Sequence, residues 1–490
     1  MGHLYKLYAE AAADAGEEVA LDGAGGTLTY AALMNRVDEL AARLTRAGAV
    51  PGLRIGVADD LGGDLHAVAL AVSALECSIV PYVTNGGPGE IRRLDRLGVW
   101  ATIGTGTPEV TPLGGGRPPH RCVQPEAYVL STSGSTSRPK DVAIGERNLE
   151  SYAEHLRAVA WMAPGDRIGQ NYQPSFDPFY EVLMTAALGR ATVVLPEGRE
   201  HLLVQRFCQR WGLTVWNSVP SQIAMAHRMR QLTPGSLPGV RTAVFGGEAL
   251  SARCLSLWRA AAPASTVVNS YGPSEVTIAC AEYVLPPTRP PVGDDVPIGR
   301  VLPHLESRLV APDDAPDERE LCVRGVQLFA GYLDPRDNIG RFYREEGGRL
   351  RVLRGDTPAP GDWYRTGDIV EETGQGLVYR RRIGHETKVR GRRVDLSAVE
   401  AELGRLPGVS DVRALVVDDA VHAVVETPDT GAGQPFPELP GLRDYARPRT
   451  LVRTAALPRL GNGKSDLRAI EQLIRQNLDR SAATVTTNTG

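Results

Sequence analysis

Residues 130–144, LSTSGSTSRPKDVAI, gather the side chains best suited to hold a polyanion. Seven of the first eight are Ser, Thr or Gly, and Arg138 and Lys140 follow. Four serines and two threonines offer hydroxyl donors. Small residues let the backbone approach a ligand closely, so that its free N–H groups form an anion-binding nest. A polyphosphate is the ligand that such a loop suits. A Ser/Gly-rich stretch taken alone is more often an ordinary flexible loop, and the GxxxxGK[ST] spacing of a Walker loop is absent.

Four further polar clusters lie at strand ends or in turns. In FGGEAL, residues 245–250, two glycines permit close contact with a planar group. In NSYGPSE, residues 269–275, Tyr271 offers a flat face, Gly272 and Pro273 a turn, and Glu275 a hard oxygen ligand suited to Mg²⁺. YRTGD, residues 364–368, ends in a carboxylate able to hold ribose hydroxyls, and LGNGK, residues 460–464, is a tight turn presenting one lysine. Taken singly these are ordinary turns and solvated charges; their joint order carries the signal.

The elements that must position them alternate. Apolar spacing predicts helices over 30–47, 64–77, 179–188, 202–211 and 221–232, with strands over 54–58, 127–130, 168–172, 191–195, 213–217 and 240–245. Such alternation argues for parallel sheets covered by helices, which bind ligands at their strand ends. From about Tyr283, Pro/Gly-rich turns separate short strands such as 320–323, predicting a β-rich subdomain. A second change near residues 382–385 introduces a small α+β unit, with a helix over 396–403 and paired strands over 412–417 and 420–425. The closing SAATVTTNTG has the composition of a disordered tail.

At 490 residues the chain is too long for one core. A formal net charge of −4 argues against a nucleic-acid partner. The N-terminal segment is acidic and lacks an apolar core, so it does not read as a signal peptide, and the apolar run near His66 to Leu75 is too short to span a bilayer. The six cysteines are scattered without CxxC or Cys/His spacing. Reduced thiols in the cytoplasm are the expectation, with no structural zinc and no membrane association.

In order and spacing, the five clusters together with residues 380–396 (RRRIGHETKVRGRRVDL) resemble the adenylate-forming enzymes, from about Tyr30 to Arg468. The chain is most similar to amino-acid adenylation domains of nonribosomal peptide synthetase type, particularly free-standing ones such as the D-alanine:carrier-protein ligases. The resemblance implies an α/β fold. A large N-terminal part, residues 1–383, has two α/β layers plus the β-rich subdomain from about 283. A small mobile α+β C-terminal domain, 384–480, follows, with the tail at 481–490.

The resemblance also implies roles. ATP would be held by Thr132, Ser133, Gly134, Ser135, Thr136 and Lys140 at its phosphates, and by Gly247, Glu248, Asn269 and Tyr271 at its adenine. Asp368 and Arg382 would hold the ribose, with Tyr379 packed beside the nucleotide. Glu275 would bind Mg²⁺ with Ser274 beside it, Lys464 would be the catalytic lysine and Gly384 the hinge. Departures from the family pattern are Ser137 and Asp141 where glycine is usual, Gly384 where Asp or Lys is common, and Glu386 for Gln. Asp141 is expected to place an anion near the phosphates and weaken ATP binding.

Residues 175–189 resemble the substrate-binding core. Asp177 falls where α-amino-acid enzymes pair the ammonium group; its bland alternative is a cap on the following helix. Asn217, Val244, Gly246, Ser270, Ile278 and Ala279 would complete the pocket, which suits a small or polar neutral amino acid. No phosphopantetheine attachment motif occurs in the chain, so the expected acceptor is a separate carrier protein. The rival readings are transfer of the acyl group to CoA or a small amine, and a silent relative that binds nucleotide.

Overall fold

The computed structural model describes the chain except residues 85–86, 105–109, 114–123, 133–139, 289–295, 313–314, 384–385, 390–391, 419, 431–438, 440–441, 443–445, 461–464 and 488–490. Side chains are not described at 386–389, 392–393, 395, 397–398 and 479–487. By its contacts the chain divides into two compact units. One is Met1–Thr366 with Glu371–Val378, and the other is Gly367–Val370 with Tyr379–Gly490.

The helix Tyr30–Arg46 shows how local sequence builds the first unit. Thr29 caps it, accepting from the Ala32 N–H, and Arg43 and Arg46 complement the dipole in the last turn. Its Leu33, Val37, Leu40 and Leu44 form one buried stripe. Beside such helices runs a six-stranded sheet in the order Val110–Pro112, Ala101–Ile103, Arg54–Ala58, Ser78–Tyr82, Glu126–Thr132 and Lys140–Gly145. Its four middle strands are parallel, and each edge strand is antiparallel.

A nine-stranded sheet forms the second layer. It runs from Arg300–Val301 through Ala281–Leu285, Thr266–Tyr271, Thr242–Gly246, Val215–Ser218, Arg167–Gly169 and Thr192–Leu195 to Val19–Gly23 and Leu28–Thr29. Its central strands are parallel, with Asn217 opposite Val244 and Gly246 opposite Ser270. Side chains alternate across a strand. Trp216, Ala243, Phe245 and Val267 therefore face a core that also holds Trp258, while Asn217, Val244, Gly246 and Ser270 share the opposite face. Trp216 stacks on Trp258 at 6.2 Å between ring centroids.

The texture change expected at about 283 falls inside this sheet. Ala281–Leu285 pairs antiparallel with Thr266–Tyr271, a connection that needs no crossover helix. The separate β-rich sheet begins at Glu306–Val310 and continues through Glu320–Arg324, Trp363–Thr373, Phe342–Glu346 and Arg349–Val352, with Gly376–Arg382 paired to Trp363–Thr373.

In the second unit Asp411–Val417 and Ala420–Glu426 pair antiparallel, and Thr450–Thr454 adds in parallel. The helices Leu396–Gly404 and Leu467–Thr487 belong to it. The second of these continues through most of the segment read from composition as a tail; its two alanines are strong helix formers that extend a helix already begun.

Candidate active site

The strand pair Glu126–Thr132 and Lys140–Gly145 flanks the Ser/Gly-rich loop, whose residues Ser133, Gly134, Ser135 and Thr136 lie outside the described residues. Thr132 and Lys140 are register partners at its base, and the Thr132 hydroxyl donates to the Lys140 carbonyl at 3.3 Å. Lys140 is buried, with its ammonium 4.8 Å from the Tyr332 ring centroid. Tyr332 arrives there because its backbone bridges Val142, and the Leu333 N–H donates to the Asp141 carbonyl.

The same tyrosine reaches Glu275. Its hydroxyl donates to Glu275 Oε1 at 2.5 Å, and burial pushes the phenol well above its ordinary range, which keeps that proton in place. Glu275 sits in the short helical turn Ser274–Val276 just past the strand Thr266–Tyr271. The following Thr277 and Ile278 take positive φ, 59° and 73°, a strained conformation for β-branched residues. Gln327 holds it. Its Nε2 donates to the carbonyls of Val276, Thr277 and Ala279 at 2.7, 3.2 and 2.5 Å, while the Thr277 hydroxyl donates to the Gln327 carbonyl at 2.6 Å. Gly272 is required nearby: a Cβ there would come within 2.5 Å of the Ala279 Cα.

Of the residues expected in the amino-acid pocket, Asn217, Val244, Gly246 and Ser270 share one sheet face. Ile278 and Ala279 belong to the loop that Gln327 clamps. Asn217 is 3% exposed, and its Oδ1 has no hydrogen-bond partner among the described residues. Its backbone carbonyl accepts from Asn171 Nδ2 at 2.7 Å, tying the strand to the segment that leads to Asp177. Asp177 precedes the helix Pro178–Gly189, yet its carboxylate caps none of that helix's N–H groups. Phe179 packs on His66, and Tyr180 stacks on Tyr128 at 3.9 Å, both fully buried.

The expected adenine residues divide. Asn269 lies on the opposite sheet face from Ser270, buried, with its Nδ2 donating to the Pro297 carbonyl at 2.8 Å. Gly247 takes φ +78°, open to glycine, and Glu248 Oε2 accepts from the Ser221 N–H in the first turn of Pro220–Arg228. Tyr271 and Ser274 are half-buried at the end of the strand and the start of the turn. In the second unit Asp368 is buried with Arg382 Nε 3.7 Å from its Oδ1, and Tyr379 is half-buried. Lys464 and Gly384 lie outside the described residues.

One turn after Asp177 lies a carboxyl that sequence reading passed over. Burial pushes the Glu181 pKa up to about 8, aided by repulsion from Glu282 and Asp177 and opposed by the Tyr152 hydroxyl, which donates at 2.6 Å. Tyr332 and Gln327 were likewise passed over, although they touch the lysine, the glutamate and the loop between them. Their signal was faint, a Gln and a Tyr five residues apart in a turn-rich stretch.

Residues 101–333 match the family model described as AMP-binding enzyme. Phosphinothricin tripeptide synthetase PhsC of Streptomyces viridochromogenes is 32% identical over 366 residues, covering 72% of this chain and 32% of that protein. Novobiocin biosynthesis protein H of Streptomyces niveus is 32% identical over 361 residues, covering 69% of this chain and 56% of that protein. The chain thus corresponds to well under two thirds of either relative. The crystal structure of IdnL7 superimposes with a TM-score of 0.78 at 28% identity, covering 97% of this chain and 99% of that one.

Proposed function

We propose that this chain, which carries an AMP-binding enzyme domain and has the fold of adenylation domains, activates an amino acid with ATP as an aminoacyl adenylate and then passes it to the phosphopantetheine thiol of a separate carrier protein. The observation that carries the reading is the meeting of Lys140 and Glu275 on Tyr332. A cation and a carboxylate from different sheets are set on one aromatic ring beside a Ser/Gly-rich loop. That is a donor set for a triphosphate and its metal.

In the first half-reaction a carboxylate oxygen of the amino acid attacks the α-phosphorus, and the bond to the β-phosphate oxygen breaks to release pyrophosphate. Two anions must meet, so cations carry the catalysis. Lys140 serves the phosphates and Lys464 the reacting carboxylate. Among the described residues no cluster of three His, Cys, Asp or Glu could hold a metal. Glu275 fits Mg²⁺ in the manner usual for nucleotide sites, one carboxylate completed by phosphate oxygens and water. The ion would offset phosphate charge. Asp177 pairs the substrate ammonium, and Asn217 Oδ1 accepts from a donor on its side chain, which favours a small or polar neutral amino acid. In the second half-reaction the thiol sulfur attacks the adenylate carbonyl and AMP leaves.

Amino-acid-dependent ATP–pyrophosphate exchange, run over proteinogenic amino acids and their D-forms, tests the first half. A responder abolished by Lys464→Ala, with the fold intact, is expected. Wild-type turnover in that variant refutes the lysine's role, and silence of the wild-type protein across the panel counts against amino-acid activation. Transfer to a loaded carrier protein, compared with CoA and small amines, tests the acceptor.

A further inference from the structure

Asp141 stands where the resembled family has glycine, one residue from the phosphate lysine. Its surroundings change what that anion does. Alternation along the paired strands sends Thr132 and Lys140 to one face and their neighbours Ser131 and Asp141 to the other. On that second face the Ser131 hydroxyl donates to Asp141 Oδ1 at 2.5 Å, and Arg96 Nη2 donates to Oδ2 at 2.7 Å. Arg93, one turn earlier on the helix Gly87–Arg96, donates to Ser131 Oγ at 2.8 Å. It also bonds the Pro81 carbonyl at 3.2 Å and Glu90 at 2.7 Å. Asp141 is 7% exposed, whereas the Arg96 side chain is 50% exposed. The carboxylate is covered, and among the described residues Arg96 is the cation it contacts.

We propose that Arg96 is a positioning residue for nucleotide binding that acts through Asp141: it holds the covered carboxylate next to Lys140 and cancels the charge that would otherwise oppose the triphosphate. The inference rests on the ATP reading above. A covered charge is screened poorly by solvent, so the balance depends on its partner more than an exposed pair would.

The test is ATP binding by calorimetry with the full-length chain, in Mg²⁺, at low and high salt. Arg96→Ala strands the carboxylate and weakens ATP binding about 10-fold at low salt and less at high salt. Arg96→Lys retains the charge and binds ATP within about 2-fold of wild type. Adding Asp141→Asn to Arg96→Ala removes the stranded anion and recovers most of the lost affinity, while the amino-acid KM stays level throughout. A merely structural strut would make the double variant no better than Arg96→Ala and would shift ATP and amino-acid constants together; either result overturns the proposal. Unchanged ATP affinity in Arg96→Ala overturns it as well. Wild-type protein that binds no ATP overturns the nucleotide reading itself, which separates the two failures.

Discussion

At the end of the six-stranded sheet the side chains carry charge and meet charge or a π face: Lys140 lies over Tyr332, and Asp141 is held by Arg96. At the end of the nine-stranded sheet the facing side chains are Asn217, Val244, Gly246 and Ser270, small and uncharged. One region is dominated by paired charges and the other by small, uncharged side chains. The difference sets how each tolerates change. A charge in the first region cannot be altered without its partner, because a covered unpaired charge is strongly destabilising. A side chain in the second can be exchanged at the expense of fit alone.

Breaking the charged region gives the largest expected effect. Glu275→Ala should lower the rate of ATP–pyrophosphate exchange on the order of 10²–10³-fold, with far-ultraviolet circular dichroism unchanged. Tyr332→Phe keeps the ring over Lys140 and removes the hydroxyl's bond to Glu275 together with its longer 3.4 Å contact to the Tyr364 hydroxyl. About a 10-fold loss is expected there, and a loss as large as that of Glu275→Ala would give the tyrosine a more direct role.

The pocket region should respond through the amino acid alone. Asp177→Ala is expected to raise the amino-acid KM about 100-fold while the ATP KM stays level; unchanged kinetics would mean the ammonium is held elsewhere. For Gly246→Val a smaller rise, about 10-fold, is expected, since even a Cβ at this position lies 3.0 Å from the Ser270 carbonyl oxygen. If that variant weakened ATP to the same degree, the division between the two regions would fail.

The smallest effect belongs to Glu181, a covered carboxyl paired with a neutral phenol where Asp141 has a cation. Its folded pKa of about 8 lies above the ordinary 4.5. The folded state thus binds the proton more tightly, and the contribution is complete below the unfolded value and lost as pH rises through 8. Burial lowers His66 from 6.5 to about 4, so its opposite trend ends near 6.5. Thermal stability should therefore fall between pH 6.5 and 8 in the wild-type protein, and Glu181→Gln should flatten that segment. A parallel slope in the variant would assign the titration to another group.

Much of the scaffold was legible because it is local. The stripe Leu33, Val37, Leu40 and Leu44 marks its helix wherever it packs, and the strand over 54–58 was read with the bounds it has. The second change of texture, placed at 382–385, reflected the same local information; by contacts the second unit takes in Gly367–Val370 and resumes at Tyr379. The β-rich subdomain was expected from about residue 283, and the strand Ala281–Leu285 pairs into the nine-stranded sheet, because turn composition does not say which sheet a strand joins. Asp177 was read by resemblance as the partner of the substrate ammonium, with a helix cap as its alternative; only the folded first turn shows that its side chain makes no cap bond there.

The sequence by itself determined the alternation of strands and helices, the Ser/Gly-rich loop with its lysine, and the presence of Glu275 in a Gly-Pro turn. These depend on spacing and residue type within a few positions. Tertiary structure decided which charges meet. Tyr332 reaches Glu275 across 57 residues and Arg96 reaches Asp141 across 45. Gln327 clamps a loop about 50 residues before it. Whether a carboxylate is an obstacle, a latch or a neutral acid is a matter of burial and of the partner within about 3 Å, and neither is encoded in its neighbours along the chain.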